Sequence, residues 1–569
     1  MQDGPAEKQE ARTGRGHRRH PRSVRCRRDL RRPASAAVTF PQTAAWCVGA
    51  LLLVVGVTGL ARKVGWSAPL VLVAVGVGIA FVPGVPAVRL EPDVVLVGVL
   101  PAVLFAAALQ TSFLEVRARG DSILALSVGL VVFSAFAVGL VTWWLVPQMT
   151  FAAGLAFGAI VAPTDAVSVS AIAGSGKLPR RLAALLEGEG LLNDATALVT
   201  LNTAITAIAV PIGIGLIARD AVLAVVGGLL SGALVAVVLS SIRRRLKAPV
   251  LDTSLSLAAP YIAYLPAFAV GGSGFLAVVV TGVWLGYRAP LFQSAESRIA
   301  ERINWRTVSF LLENAVFLLI GLQLPDIVRR ASQSNIGLLQ GALLIVGLYL
   351  AMVLARYVWV FAATVLYRFG PERFRERRWE WRTAFAISFA GVRGVVTLAA
   401  VFLLPPRTPQ VGFLQLAAFV IVVLSLLQGL GLSSLVRRLR LPLPNPDQDR
   451  MQIRILMGEA QAAALERLDR EITEEDPTEV VTSLRQTAQY RMGIGTTDEQ
   501  GVAARPDAYA RLRLAMLQAE RQAVLEARRE GRYEESTISA VLGDFDTIEA
   551  AMKRSYRRDV PKRLPRVRS

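Results

Sequence analysis

The chain has 569 residues, 53% of them hydrophobic and 19% charged, with a mean hydropathy of +0.47. Its apolar residues come in long blocks parted by short polar loops, which is the composition of a polytopic membrane protein. The formal charge of +20 comes from 63 Lys and Arg against 43 Asp and Glu, but those arginines lie between apolar blocks and no nucleic-acid motif accompanies them, so nucleic acid is not an expected partner.

The minor residues exclude further chemistry. Cys26 and Cys47 cannot make a disulfide framework, and Cys47 sits in an apolar block as a small hydrophobe. Both histidines, His17 and His20, fall in the Arg-rich leader, which leaves no intramembrane histidine for zinc or for a proton relay. Proton chemistry must then rest on carboxylates, and no cofactor is expected.

In chain order, residues 1–40 form a basic leader without an apolar stretch and are expected to be disordered. Thirteen spans follow, at 45–61, 67–82, 93–110, 122–146, 151–172, 182–208, 219–241, 251–269, 272–288, 305–324, 337–366, 382–404 and 411–435. Together they predict a transmembrane domain over 41–440. Basic residues concentrate in alternate loops, such as Arg243, Arg244, Arg245 and Lys247, and the positive-inside rule places those loops and the C-terminal tail in the cytoplasm. Thirteen spans would put the N-terminus outside, although residues 1–33 carry eleven Lys and Arg. We read translation as beginning near Val38; a chain lacking residues 1–37 that failed to insert or function would refute this.

Residues 441–569 turn charged and rich in Ala and Leu, which predicts a soluble helical tail. Tyr509, Leu512, Met516, Ala519 and Ala523 recur at helical spacing after Pro506, as do Ile538, Val541, Leu542, Phe545 and Ile548 after Ser536 and Thr537. Packing or assembly is its expected role, with regulation as the alternative.

Charge inside a span costs roughly 2.5 to 3.5 kcal/mol at the bilayer centre, so each instance is a functional candidate. Span 5 carries Asp165, span 6 Glu187, Glu189 and Asp194, span 10 Glu313, span 11 Arg356 and span 12 Arg393. Five acids against two bases suit a cation or protons. On span 6, Glu189 and Asn193 are i, i+4 and share a face, while Asp194 points about 100° away. Pro163 interrupts span 5 just before Thr164 and Asp165, and Gly391 and Gly394 weaken span 12 around Arg393. With span 7 as a link between two six-helix halves, the interrupted spans 5 and 12 correspond, the pattern of inverted-repeat transporters.

These residues also admit structural readings. Asp165 and Asp194 could be acids satisfied by neighbouring amides. Glu189 with Arg393 reads equally as a buried ion pair or as part of an ion site, Glu187 could snorkel, and Glu313 could pair with Arg356 across spans 10 and 11. Gly76, Gly78, Gly227 and Gly228 read as close-packing points. A cation channel using the same acids is the leading rival to a transporter, although the acids cluster on two broken helices rather than in a ring. An intramembrane enzyme using Asp165 and Asp194 as paired carboxylates fits less well beside Asn193 and the broken span.

The strings APTDAV at 162–167, EGEGLLNDA at 187–195, LAAPYIAYLPA and SGFLAVVVTG within 257–282, FLLENAVFLLIGLQL at 310–324 and GVRGVVTLA at 391–399 resemble the monovalent cation:proton antiporters that include bacterial and animal sodium/proton exchangers. The resemblance covers residues 45–440. It implies an elevator-like homodimer in the cell membrane, with a six-helix core sliding against a dimerisation domain. It places the ion-carrying carboxylate on Asp194, with Asn193 beside it marking an electroneutral exchange of one Na+ (or K+ or Li+) for one proton. It further assigns the unwound-helix pair to Thr164 and Asp165, with Na+ or K+ held by Asp194, Asp165 and Thr164, and the buried ion pair to Glu189 and Arg393. Gly190 stands where relatives carry a coordinating serine, and Phe268 where many bacterial relatives carry glutamate.

Overall fold

A computed structural model describes residues 40–83, 92–165, 178–209, 214–246, 248–334, 336–372, 379–443, 445–474, 476–491 and 506–559. The basic leader, with the expected start near Val38, lies outside the described residues as far as position 39. The chain divides into two compact units, Met1–Ala50 and Leu51–Ser569. What is described of the first is the opening of α1 (Phe40–Val64).

In the second unit the end of α1 is followed by α2 (Ala68–Ala80) and by a π-helical turn at Val94–Val99 that runs into α3 (Leu100–Gln110). Next come α4 (Phe113–Ala118), α5 (Gly120–Leu124), a second π turn at Ala125–Gly129, α6 (Leu130–Leu145) and α7 (Phe151–Val161). The long helices α8 (Arg180–Ala209), α9 (Ile214–Arg245), α10 (Pro249–Ala269), α11 (Gly274–Phe292), α12 (Ala295–Ala331) and α13 (Leu338–Phe369) follow. Span 12 is divided into α14 (Trp381–Phe389) and α15 (Val395–Ala400), and the last span into α16 (Val411–Leu430) and α17 (Leu432–Arg438). The tail supplies α18 (Pro446–Glu471), α19 (Thr478–Arg491), α20 (Pro506–Arg529) and α21 (Glu535–Asp559). Among the described residues there is no β-strand.

Described helices fall in each of the thirteen expected segments, although residues 166–172 of the fifth lie outside the described residues. Among the described residues eight helices are long and apolar enough to cross a membrane, fewer than expected: Ala68–Ala80, Val94–Gln110 and Phe151–Val161 are apolar but short, span 12 is broken, and the long Pro249–Ala269, with its internal prolines, is not among the eight. A chain that must satisfy its backbone within hydrocarbon has little choice but helix. The outer helices leave apolar side chains uncovered, as at Leu230 and Leu234 of α9 and Leu350 and Leu354 of α13, which suits contact with lipid. By contrast α7, apolar all round, is buried along most of its length, so the break at its end is buried too.

Small residues set the closest approaches. A Cβ on Gly76 of α2 would lie 2.4 Å from the Leu318 carbonyl oxygen of α12, so only glycine lets these backbones touch; Gly78 faces open space instead.

The tail folds onto itself around Leu456, Leu517, Val524, Ile538, Val541 and Phe545, with a second cluster that includes Leu468, Leu484, Leu512 and Met516. The predicted stripe of α21 faces the first cluster through Ile538, Val541, Leu542 and Phe545. Of the α20 stripe, Leu512 and Met516 face the second cluster, and it is Leu517 and Val524, outside the predicted stripe, that meet α21. Helix α21 also packs against α12, so tail and transmembrane domain form parts of one compact unit.

Candidate ion-binding site

Pro163 supplies no N–H and disfavours helix at the residue before it, so α7 stops at Val161 and residues 163–165 run without helical pairing. The opposing break lies between Phe389 of α14 and Val395 of α15, where Gly394 is extended. The two breaks meet: the Asp165 N–H donates to the Val392 carbonyl at 2.7 Å. A Cβ on Gly394 would fall 2.5 Å from the Asp165 carboxyl carbon, so glycine is what allows the crossing.

Arg393 occupies this crossing and is buried. Its Nε donates to the Val161 carbonyl at 3.0 Å, Nη2 reaches the Ala162 carbonyl at 3.4 Å, and Nη1 donates to the Gly391 carbonyl. Val161 and Ala162 lie at the C-terminal end of α7, whose carbonyls the break leaves without helical donors. A guanidinium there satisfies them and complements the negative end of the helix dipole.

Glu189 pairs with Arg356 of α13 rather than with Arg393, in a bidentate contact of 2.5 Å from Nη1 and 2.9 Å from Nη2. The expected partner is committed to carbonyls, while Arg356 is anchored by Nε donating to the Ile387 carbonyl at 3.0 Å. The expected pair of Glu313 with Arg356 fails for the same reason: Arg356 is already taken, and Glu313 faces the cavity described below.

Glu189 and Asn193 do share a face of α8, and that face holds the broken helix. The Thr164 hydroxyl donates to Glu189 Oε1 at 2.9 Å. The Asn193 amide donates to the Thr164 carbonyl at 2.9 Å and to its hydroxyl oxygen at 2.8 Å. Asn193 is fully buried, and its Oδ1 has no hydrogen-bond partner.

Asp194, rotated away on the same helix, is 7% exposed and has no hydrogen-bond or ion-pair partner among the described residues. It opens on a cavity of about 50 Å³ shared with Thr164, Asp165, Gly190, Glu313 and Thr397, and walled otherwise by apolar groups of the π turn, α3 and α15. That is room for a water or a bare monovalent ion. Three carboxyl groups face it and its described lining contains no basic side chain. Ionised together in so apolar a place they would repel, so the cavity favours protons, a cation, or both in alternation.

Sequence reasoning found Thr164, Asp165, Asn193 and Asp194, and the structure brings them together. Gly190 lines the cavity, so the serine of relatives would stand at the site; Phe268 is exposed on α10 and does not line it. Thr397 was missed, although its place after the Gly391–Gly394 break was a signal. Also missed was a buried network in which Arg243 bonds Asp252 at 2.7 Å and Glu301 at 2.8 Å, with Gln293 donating to both acids. By sequence Arg243 is one of a run of cytoplasmic loop bases, and nothing local marks its partners.

The transmembrane family described as sodium/hydrogen exchanger matches residues 49–438. An uncharacterized Na(+)/H(+) exchanger of Mycobacterium tuberculosis is 30% identical over 517 residues, covering 88% of this chain and 94% of its own length. The Bacillus subtilis sodium, potassium, lithium and rubidium/H(+) antiporter is 31% identical over 355 residues, 59% of this chain and 52% of its own. The solved structure of the sodium proton antiporter MjNhaP1 from Methanocaldococcus jannaschii, 17% identical, superposes with a TM-score of 0.57 over 70% of this chain and 99% of that one, which speaks to the fold. Broken helices crossing beside buried acids, in a chain matched along its whole transmembrane domain, place this protein in the sodium/hydrogen exchanger family: it is a membrane antiporter and not an enzyme.

Proposed function

We propose that Asp194 binds a proton and a monovalent cation in turn, and that this competition couples their movement in opposite directions. The observation that carries the reading is the buried Asp194 carboxyl, unpartnered among the described residues, opening on a cavity of about 50 Å³ that has room for an ion. Thr164 and Asp165 complete the cation site from the break in α7. Glu189 and Asn193 act by fixing Thr164, and the Glu189–Arg356 pair holds α8 to α13.

An empty, charged carboxylate is costly to carry through an apolar barrier, whereas the protonated or cation-bound form is neutral. Exchange of one cation for one proton, without net charge, follows from that asymmetry. Sodium is the first candidate, with potassium and lithium next, in keeping with the names of the relatives. The protein is proposed to act as a homodimer in the cell membrane, by alternating access, with its tail in the cytoplasm.

In everted vesicles, Asp194→Asn is expected to abolish cation-driven dissipation of a pH gradient while the protein still inserts. Retained exchange would rule out the carrier role. Titrating each cation across several pH values with a pH-sensitive dye identifies the transported ion. Current without obligatory counter-transport would instead identify a channel.

A further inference from the structure

A second, larger cavity of about 470 Å³ lies between the transmembrane helices and the tail, where α11 ends, α12 begins and α20 and α21 dock. Its size is that of a small-molecule site. Five arginines, 298, 302, 306, 521 and 528, line it against three acids, Glu301, Glu535 and Asp546.

All three acids are engaged. Asp546 accepts from Arg298 Nε at 3.0 Å and from Arg521 at 2.9 Å, Glu535 accepts from Arg528 Nε at 3.1 Å, and Glu301 accepts from Arg243 and Gln293. Arg302 and Arg306 have no acid partner among the described residues, and at i, i+4 they share a face of α12. The Arg521 Nε is buried without an acceptor. Ser536 and Ser539 bring hydroxyl groups from the first turns of α21.

One wall group has the opposite need. Gln293 is 8% exposed, and its Nε2 donates to Asp252 at 3.0 Å and Glu301 at 2.9 Å, which fixes the amide and leaves Oε1 buried without a donor. The cavity therefore offers guanidinium and hydroxyl donors for an anion, beside one acceptor for a hydroxyl.

We propose that this junction binds a phosphate ester carrying free hydroxyl groups, with the phosphate on Arg302 and Arg306 and a hydroxyl on Gln293 Oε1, so that the ligand links tail helix α21 to α12. Glycerol phosphate is the smallest such group, whether as the headgroup of phosphatidylglycerol or as a soluble ester.

The test uses the full chain in nanodiscs. In discs of phosphatidylcholine alone, calorimetric titration with glycerol 3-phosphate reads the soluble source; co-purification of phosphatidylglycerol from mixed discs, measured by native mass spectrometry, reads the lipid source. Saturable binding in either arm is expected, weakened about tenfold or more in R302Q/R306Q. Phosphatidylglycerol retained without glycerol phosphate binding assigns the lipid, and the converse assigns the soluble ester. Should the double variant fold poorly, S536A/S539A is expected to weaken the same binding. No binding in either arm, equal affinity for inorganic sulfate, or unchanged binding in a folded R302Q/R306Q protein overturns the proposal.

Discussion

Glu189 holds Arg356 through two hydrogen bonds and takes a third from Thr164, so its carboxylate anchors the unwound segment as well as α13. Both partners of the ion pair are 2% exposed at the side chain. Removing one leaves an uncompensated buried charge, at a cost of about 3–5 kcal/mol, whereas removing both takes away the charge with its partner. Thermal unfolding of Glu189→Gln or Arg356→Met is expected to show that loss, and the double variant to recover most of it. A double variant no more stable than the worse single one would contradict the pairing. At this scale the sequence made the candidates legible, because ionisable residues inside apolar blocks are few. It did not make the pairing legible: Arg356 and Arg393 are both arginines in neighbouring spans, and what separates them is the free carbonyls at the end of α7, which exist only once that helix is broken.

The broken helices were readable at the scale of the element, since Pro163 and the Gly391–Gly394 pair interrupt apolar runs next to a charged residue. Their crossing could not be read. It depends on a backbone hydrogen bond between Asp165 and Val392 and on the space at Gly394. Gly394→Ala is expected to push the Asp165 carboxyl aside and to reduce antiport at least tenfold with little loss of inserted protein, measured as initial rate in vesicles. Wild-type rates in that variant would show that the close approach has no part in transport. Span ends were displaced for a related reason. The helix read over 305–324 runs from Ala295 to Ala331 because its opening turns, polar on one side, are covered by the tail.

For the whole molecule, the tail is tied to the transmembrane domain by buried charge. Asp546 of α21 meets Arg298 of α12, 248 residues away, with both side chains under 10% exposed. Arg528 adds a hydrogen bond to the Tyr287 carbonyl at 3.2 Å and lies 4.8 Å from that residue's ring centroid. Periodicity predicted the tail helices, but it carries no information on contacts this distant. Asp546→Asn is expected to weaken docking by about 3 kcal/mol, so that limited proteolysis cuts the tail roughly a hundredfold faster. Unaltered cleavage would mean that the apolar clusters alone hold it.

Alternation of proton and cation on one carboxyl group is tested most directly by equilibrium binding of a radiolabelled cation to the purified protein over a range of pH. Direct competition predicts that apparent affinity falls about tenfold for each unit of acidification below the pKa of the site, and that Asp194→Asn binds no cation at any pH. A cation affinity that does not change with pH, or that survives in Asp194→Asn, would contradict it.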